Sequence, residues 1–346
     1  MVSVIPRQAV NSWLIFLLIS VFLPFISCGL IDSNASDDDT DIQNDTPGEI
    51  VFSAKDALGR AQIYTINIDG SGLKQLTFLK GGAYYPSWSP DGKQIVFSSW
   101  EYGTSTGPAL WVMNADGSNQ RVLYDPEPDN IHLPPIAGNH PRWSPDGTKI
   151  AYDLCLNCQI ATNYDIYIFN TVTKEITRLT NHPANDTYPT WSPDGRQIAF
   201  ESKRDYWDAD TLRFRHDLYI INLDGLNITR LTEIGHASYP TWSPDGDTII
   251  FKSTVPKYGI YKISISSREY FLVKEDSTEK IYMSPRALSY DGLQLLITAV
   301  SFEEPKSNSV HILDLRSNRL KKIYSQLKKN ANPVIFGADL FVRTER

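Results

Sequence analysis

The 346-residue sequence has few cysteines, no excess of basic charge and only one long apolar run. Three cysteines cannot build a disulfide framework. With 33 Lys and Arg against 40 Asp and Glu, the formal charge is −7. This balance argues against general nucleic-acid binding, which requires a basic surface. The hydrophobic fraction of 41%, with 8 Trp, 18 Tyr and 14 Phe, is sufficient for a packed core and excludes global disorder.

The single apolar run predicts an export signal. Residues 13–27 are apolar apart from two serines, and Arg7 is the only charged residue before them. The run has the length of a signal-peptide core and is short for a membrane span. It ends in Ser27 and Cys28, which resembles the bacterial lipobox, whose cysteine is lipidated. We expect residues 1–28 to be a signal peptide and Cys28 a lipid anchor. The alternatives are a secretory signal and an uncleaved anchor, and all three place the rest of the chain outside the cytoplasm.

Residues 29–47 carry six Asp, no Lys or Arg, and almost nothing apolar. Such a segment cannot bury enough surface to offset the entropy lost on ordering, and its charges repel one another. We expect an acidic disordered tether between the anchor and a globular domain over residues 48–346.

A heptad repeat dominates that domain. Pro-x-Trp-Ser-Pro-Asp-Gly occurs four times at a spacing of about 50 residues, the range of propeller blades. In each copy Pro, Asp and Gly favour a β-turn, and the Trp is expected to pack between blades. The repeated residues are Trp88, Asp91 and Gly92; Trp143, Asp146 and Gly147; Trp191, Asp194 and Gly195; and Trp242, Asp245 and Gly246.

Each period contains four predicted strands, which indicates an all-β propeller of four-stranded antiparallel blades. Five full units follow a partial blade that begins near residue 49. A C-terminal strand at residues 332–336 would complete that blade and leave no open edge. This count predicts six blades. Residues 339–342 could instead start another strand, so seven blades are the alternative.

The repeat resembles the propeller of the TolB-type family, and a similar repeat occurs in prolyl-oligopeptidase-like peptidases. The resemblance covers about residues 49–344. It implies a propeller fold and an envelope context. TolB proteins have an α/β domain before the propeller, where this chain has the acidic segment, so the Tol–Pal partner role does not follow from the resemblance.

No catalytic site is predicted. Residues 103–107 match Gly-x-Ser-x-Gly, but they lie in a loop between blade strands rather than in a strand–turn–helix. Cys155 and Cys158 are expected to form a local disulfide outside the cytoplasm. A metal site of His140, His182 and His236 would require equal positions in the repeat, which they do not have. No cofactor or metal is therefore expected.

The candidate binding surface is the channel face. The residue before each repeat Pro enters the innermost strand of its blade and is expected at the channel mouth, with loop aromatics beside it. Packing between blades is the alternative role for these side chains. The predicted binding residues are Tyr84, Tyr85, His140, Tyr188 and Tyr239, with Tyr206 and Trp207 from a long loop; Ser284 occupies the same repeat position.

These features predict a non-catalytic, membrane-tethered, extracytoplasmic propeller that binds an envelope protein or glycan through its channel face. The alternative is a carbohydrate-binding or metal-dependent lyase-like propeller that uses the same residues.

Overall fold

The computed structural model describes residues 48–104, 107–123, 137–155, 163–206, 215–276, 281–301, 307–327 and 337–342. These residues form six sheets of four antiparallel strands, arranged in a ring. The predicted six-bladed propeller is confirmed, and the seven-bladed alternative is wrong. No helix in the described ranges is both long and apolar enough to cross a membrane.

The strands are numbered in chain order and grouped by blade. Blade 1 contains β1 (Gly48–Lys55), β2 (Ala61–Asn67), β3 (Lys74–Gln75) and β24 (Ala338–Val342). Blade 2 contains β4 (Ala83–Trp88), β5 (Gln94–Thr104), β6 (Gly107–Asn114) and β7 (Arg121–Val122). Blade 3 contains β8 (Asn139–Trp143), β9 (Lys149–Cys155), β10 (Tyr164–Asn170) and β11 (Ile176–Arg178).

Blade 4 contains β12 (Asp186–Trp191), β13 (Gln197–Ser202), β14 (Asp217–Asn222) and β15 (Thr229–Arg230), with a 3-10 turn at Arg204–Tyr206. Blade 5 contains β16 (Ala237–Trp242), β17 (Thr248–Ser253), β18 (Gly259–Ser264) and β19 (Tyr270–Glu275). Blade 6 contains β20 (Ile281–Leu288), β21 (Gln294–Ser301), β22 (Ser307–Asp314) and β23 (Leu320–Leu327).

The Ser-Pro-Asp-Gly motif joins the first two strands of its blade. In blade 2, Asp91 Oδ1 accepts hydrogen bonds from Ser89 Oγ at 2.6 Å and from the Lys93 amide at 3.1 Å. Gly92 follows with φ +66°, a conformation that glycine adopts without a steric penalty. The aspartates of the other three motifs make the same two kinds of contact. Their carboxylates are therefore engaged within turns and do not form a shared acidic site.

The hydrophobic core is divided into six clusters, each between two successive blades. Trp88 packs with Val51 and Ile63 of blade 1 and with Ile95 of its own blade. Because every cluster uses residues from two sheets, no blade can bury its apolar faces alone. The ring is therefore held by contacts between neighbours on both sides of each blade.

The ring closes within blade 1. Strand β24 pairs antiparallel with β1, so that Ala338 lies opposite Phe52 and Val342 opposite Gly48. The closing strand thus lies C-terminal to the one predicted at residues 332–336, which are outside the described residues. The predicted start of a seventh blade is instead the strand that completes the first.

Candidate functional site

Four aromatic residues occupy the same place in blades 2 to 5. Tyr85, His140, Tyr188 and Tyr239 have φ between +48° and +56°, in the left-handed region that side chains other than glycine seldom adopt. Each lies in a β-bulge, where it and the following proline together face one residue of the second strand. The bulge turns the residue out of the regular strand alternation.

These residues stack on one another across the blade boundaries and form what we call the aromatic ring. The ring centroids of Tyr85 and His140 are 4.1 Å apart, those of His140 and Tyr188 are 3.8 Å apart, and those of Tyr188 and Tyr239 are 4.6 Å apart. All four side chains are half-buried. These side chains therefore pack against one another across the blade boundaries, and their binding role stays a prediction.

Gly337 and Pro285 complete the circle in blades 1 and 6, and the six positions line one cavity. The part of this cavity that is open to a water-sized molecule has a volume of about 20 Å³. This is room for roughly one water molecule. Gly337 has φ +74°, and a Cβ there would lie 2.9 Å from Tyr85 Cα. The aromatic ring thus narrows the channel to a small central space.

Acidic side chains support the strained backbone of the ring. Asp153 Oδ1 lies 2.7 Å from His140 Nδ1 and accepts a hydrogen bond from the Tyr188 amide at 3.3 Å. In the next blade, Glu201 Oε2 accepts from the Tyr239 amide at 3.2 Å. Each acid comes from the second strand of one blade and binds the bulge of the following blade. Two of the four left-handed residues, Tyr188 and Tyr239, thus have carboxylate partners for their amides.

Burial also shifts the pKa values of side chains in and beside the aromatic ring. It raises the pKa of Tyr85 to about 12 and that of Tyr188 well above the usual range of a phenol. Both hydroxyls are protonated at neutral pH, as phenols ordinarily are, and the raised pKa extends this to more alkaline pH. Burial, together with the nearby Arg286 guanidinium, lowers the pKa of Lys252 to about 8.

Two arginines that the sequence reasoning missed line the same cavity. Arg142 comes from β8 and Arg286 from β20, three blades apart and so on opposite sides of a six-bladed ring. Arg286 lies 4.7 Å from the Tyr239 centroid, measured from Cζ, and its Nε donates to Thr298 Oγ1 at 2.7 Å. Arg142 Nη1 lies 3.8 Å from Asp339 Oδ2. Burial lowers the pKa of Arg142, and Arg286 adds to this effect.

The signal for Arg142 was present in the repeat. It occupies the variable position of Pro-x-Trp, where the other three copies have Ser87, Thr190 and Thr241. The fold of the repeat therefore does not require an arginine at this position. An arginine in one copy only indicates a role specific to that blade.

The remaining candidates lie elsewhere. Tyr84 stands beside Tyr85 at a centroid distance of 6.4 Å but does not line the cavity. Ser284 also lies off it, because the equivalent of Tyr85, counted back from the turn glycine Gly292, is Pro285 itself and not the residue before it. Tyr206 ends the 3-10 turn. Trp207 is outside the described residues.

The three histidines considered and set aside as metal ligands lie in different settings. His140 belongs to the aromatic ring, the Nδ1 of His182 accepts the Ala184 amide at 3.1 Å, and His236 pairs with His216 in a β-bridge. Within the described part of the chain, no three His, Cys, Asp or Glu residues are grouped to hold a metal. Cys155 is disulfide-bonded. Its predicted partner Cys158 lies outside the described residues, so that pairing stays a prediction.

Comparisons with known proteins agree with this architecture. A family model described as the TolB beta propeller domain matches residues 129–206. The Tol-Pal system protein TolB of Francisella tularensis subsp. holarctica is 32% identical over 177 residues, 48% of this chain and 34% of that protein. An uncharacterized protein of Agrobacterium fabrum is 30% identical over 120 residues, 32% of this chain and 39% of that protein. The chain therefore spans less than two fifths of the length of these curated relatives.

A crystal structure of TolB from Acinetobacter baumannii has a TM-score of 0.65 and 19% identity, covering 85% of this chain and 66% of that one. At this identity the likeness concerns the fold. The repeat, the six four-stranded blades and the family match together define the class, a six-bladed β-propeller. More particularly, the matched blades are similar to those of TolB-type propellers, the resemblance that the repeat predicted.

Proposed function

We propose that this TolB-type propeller is an extracytoplasmic, membrane-tethered binding protein that holds an envelope protein at its channel face and catalyses no reaction. The observation that carries the proposal is the aromatic ring, in which four successive blades place half-buried aromatic side chains around one cavity. Aromatic residues with arginine beside them are the residue types that dominate binding energy at protein interfaces.

The backbone of the ring supports this reading. Four residues in left-handed conformations cost free energy, and such strain clusters at binding sites where the surrounding structure over-determines it. A packing role alone would be met by an ordinary strand residue at each position. The name of the Francisella relative, a Tol-Pal system protein, adds an envelope context.

Export and anchoring are the second part of the proposal and rest on residues 1–47. Acylation at Cys28 with more than one acyl chain would hold the propeller at a membrane, because a single chain gives only reversible attachment. The test is metabolic labelling with an alkyne fatty acid. Wild-type protein should take up label and fractionate with membranes, and Cys28→Ser should do neither. Equal labelling of both would contradict the anchor.

The binding function is tested by in-cell photo-crosslinking followed by mass spectrometry. Wild type is compared with the double variant Tyr188→Ala with Tyr239→Ala, and Trp207→Ala separately tests the predicted loop contribution. The matched control is Tyr290→Ala, since Tyr290 is 77% exposed in a turn at the far end of its strand. A protein captured by wild type and control but lost from the double variant supports the proposal.

Undiminished capture by the double variant would contradict the site, provided that thermal unfolding shows a cooperative transition in each variant. A glycan captured in place of a protein would favour the carbohydrate-binding alternative.

A further inference from the structure

The cavity inside the aromatic ring contains guanidinium groups whose hydrogen-bonding capacity is largely unused. Among the described residues, Nε is the only guanidinium nitrogen of Arg286 that donates a hydrogen bond. The 3.8 Å between Arg142 Nη1 and Asp339 Oδ2 is an ion-pair distance and too long for a hydrogen bond. A guanidinium carries five N–H donors in a planar fork. Several donors of both side chains, which line the cavity, therefore have no acceptor among the residues that the structure describes.

We propose that Arg142 and Arg286 bind one carboxylate group of the ligand inside the aromatic ring. This inference rests on the proposed function, because it names the chemistry that the channel face recognises. The two arginines come from opposite sides of the ring and line the same cavity, so that a single oxyanion between them can accept from both.

Charge selects a carboxylate over a phosphate. Arg142 and Arg286 supply two positive charges, and Asp339 beside Arg142 supplies one negative charge. Around the neighbouring Tyr239, Lys252 and Glu201 are opposite in sign and cancel. Asp153 beside His140 adds a further buried carboxylate. The net charge around the arginine pair is therefore no more than about +1, which suits a monoanion better than a phosphate with its charge of roughly −1.5 to −2 at neutral pH.

The shape of the cavity points the same way. Its water-sized free space of about 20 Å³ admits one small group rather than a branched one. Arg286 is held against the Tyr239 ring and tied at Nε to Thr298, so its outer edge is oriented before a ligand arrives. A preorganised planar fork suits a planar carboxylate, which accepts two parallel hydrogen bonds.

The ring tyrosines complete the site. Tyr85 and Tyr188 line the same cavity and are neutral at neutral pH, so they add no negative charge that would oppose a carboxylate. A carboxylate on a slender chain, such as a Glu or Asp side chain in an extended acidic segment, satisfies every one of these features.

The test uses purified full-length protein and ligand-observed NMR titration with three probes. N-acetyl-glutamate α-amide carries one carboxylate, N-acetyl-glutamine α-amide is its neutral match, and inorganic phosphate tests the other oxyanion. The carboxylate should bind saturably and the neutral amide roughly tenfold or more weakly, since charge-assisted hydrogen bonds are lost. This pair needs no variant and is independent of folding.

Variants then locate the site. Arg286→Gln should weaken carboxylate binding roughly tenfold or more, and Arg286→Lys should retain part of it because the charge remains without the fork. Arg196→Gln is the matched control, since Arg196 is 86% exposed in a turn. Equal binding of the two amides, no saturable binding at all, or unchanged binding by Arg286→Gln would each overturn the proposal. Tighter binding of phosphate would overturn the choice of carboxylate.

The crosslinking experiment distinguishes failure of the carboxylate site from failure of the proposed binding function. If the double aromatic variant loses the partner while Arg286→Gln keeps it in full, the binding function stands and the carboxylate site fails. If both variants keep the partner, both proposals fail.

Discussion

Replacing Tyr188 by glycine should destabilise the propeller less than replacing it by alanine, the reverse of the usual order in a β-strand. Both variants lose the same aromatic contacts with His140 and Tyr239. They differ in the backbone, which has φ +55° at this position. Alanine in the left-handed region costs roughly 1–2 kcal/mol, and glycine does not bear that cost.

The conformational entropy of the unfolded chain favours the alanine variant instead. Glycine loses more conformational entropy than alanine on folding, worth about 0.5–1 kcal/mol. The difference leaves the glycine variant more stable by about 0.5–1 kcal/mol. The matched control is Tyr64, a half-buried tyrosine in the middle of β2 that stacks on Phe52 of the neighbouring strand β1. There the alanine variant should be the more stable by about 0.5–1 kcal/mol.

The assay is urea unfolding of all four variants, followed by fluorescence, with the midpoints compared at equal denaturant dependence. The reasoning predicts opposite signs at the two sites. The same sign at both would mean that the bulge relaxes when the aromatic ring is lost, and the strain argument would be wrong.

Trp191→Phe should cost about 1 kcal/mol more than Trp242→Phe in urea unfolding, because Trp191 Nε1 donates to a backbone carbonyl of the preceding blade at 3.0 Å. Within the described residues, Trp242 Nε1 has no such acceptor. Asp217→Asn should cost roughly 3 kcal/mol, since it removes the charge that faces Arg230 at 2.6 Å in a buried network; a cost below 1 kcal/mol would refute this. Burial lowers the pKa of His311 to about 4 from 6.5, so the unfolded chain binds the extra proton first. Stability should therefore fall as pH drops from 6.5 towards 4, and His311→Gln should flatten that slope.

The blade architecture was predictable from sequence because the repeat encodes it locally. Ser-Pro-Asp-Gly specifies its own turn through contacts within five residues, such as that between Asp91 and Ser89. The number of repeated units along the chain then gives the number of blades. The closing strand was misplaced because its pairing partner β1 lies almost the whole domain away, and no local pattern encodes that register.

The site was only partly predictable. The position before each Pro led to four of the ring residues, since the same bulge recurs in blades 2 to 5. In blade 6 the bulge keeps its place seven residues before the turn glycine, with Pro285 before Gly292 as Tyr85 is before Gly92, but the proline stands one position earlier than in the other copies. Counting from the proline led to Ser284, whereas counting from the turn glycine leads to Pro285, which lines the cavity together with Arg286.

The pairing of β24 with β1 also determines when the molecule can finish folding. Blades 2 to 6 each draw their four strands from one continuous stretch of chain, so their strands can pair before the C-terminal strand is available. Blade 1 must wait, with β1 holding an unpaired edge, until Ala338–Val342 is available. During that interval the exposed edge of β1 can pair with another chain. Ring closure is thus a late step with a high entropy cost, and the propeller is most prone to strand exchange before Ala338–Val342 pairs with β1.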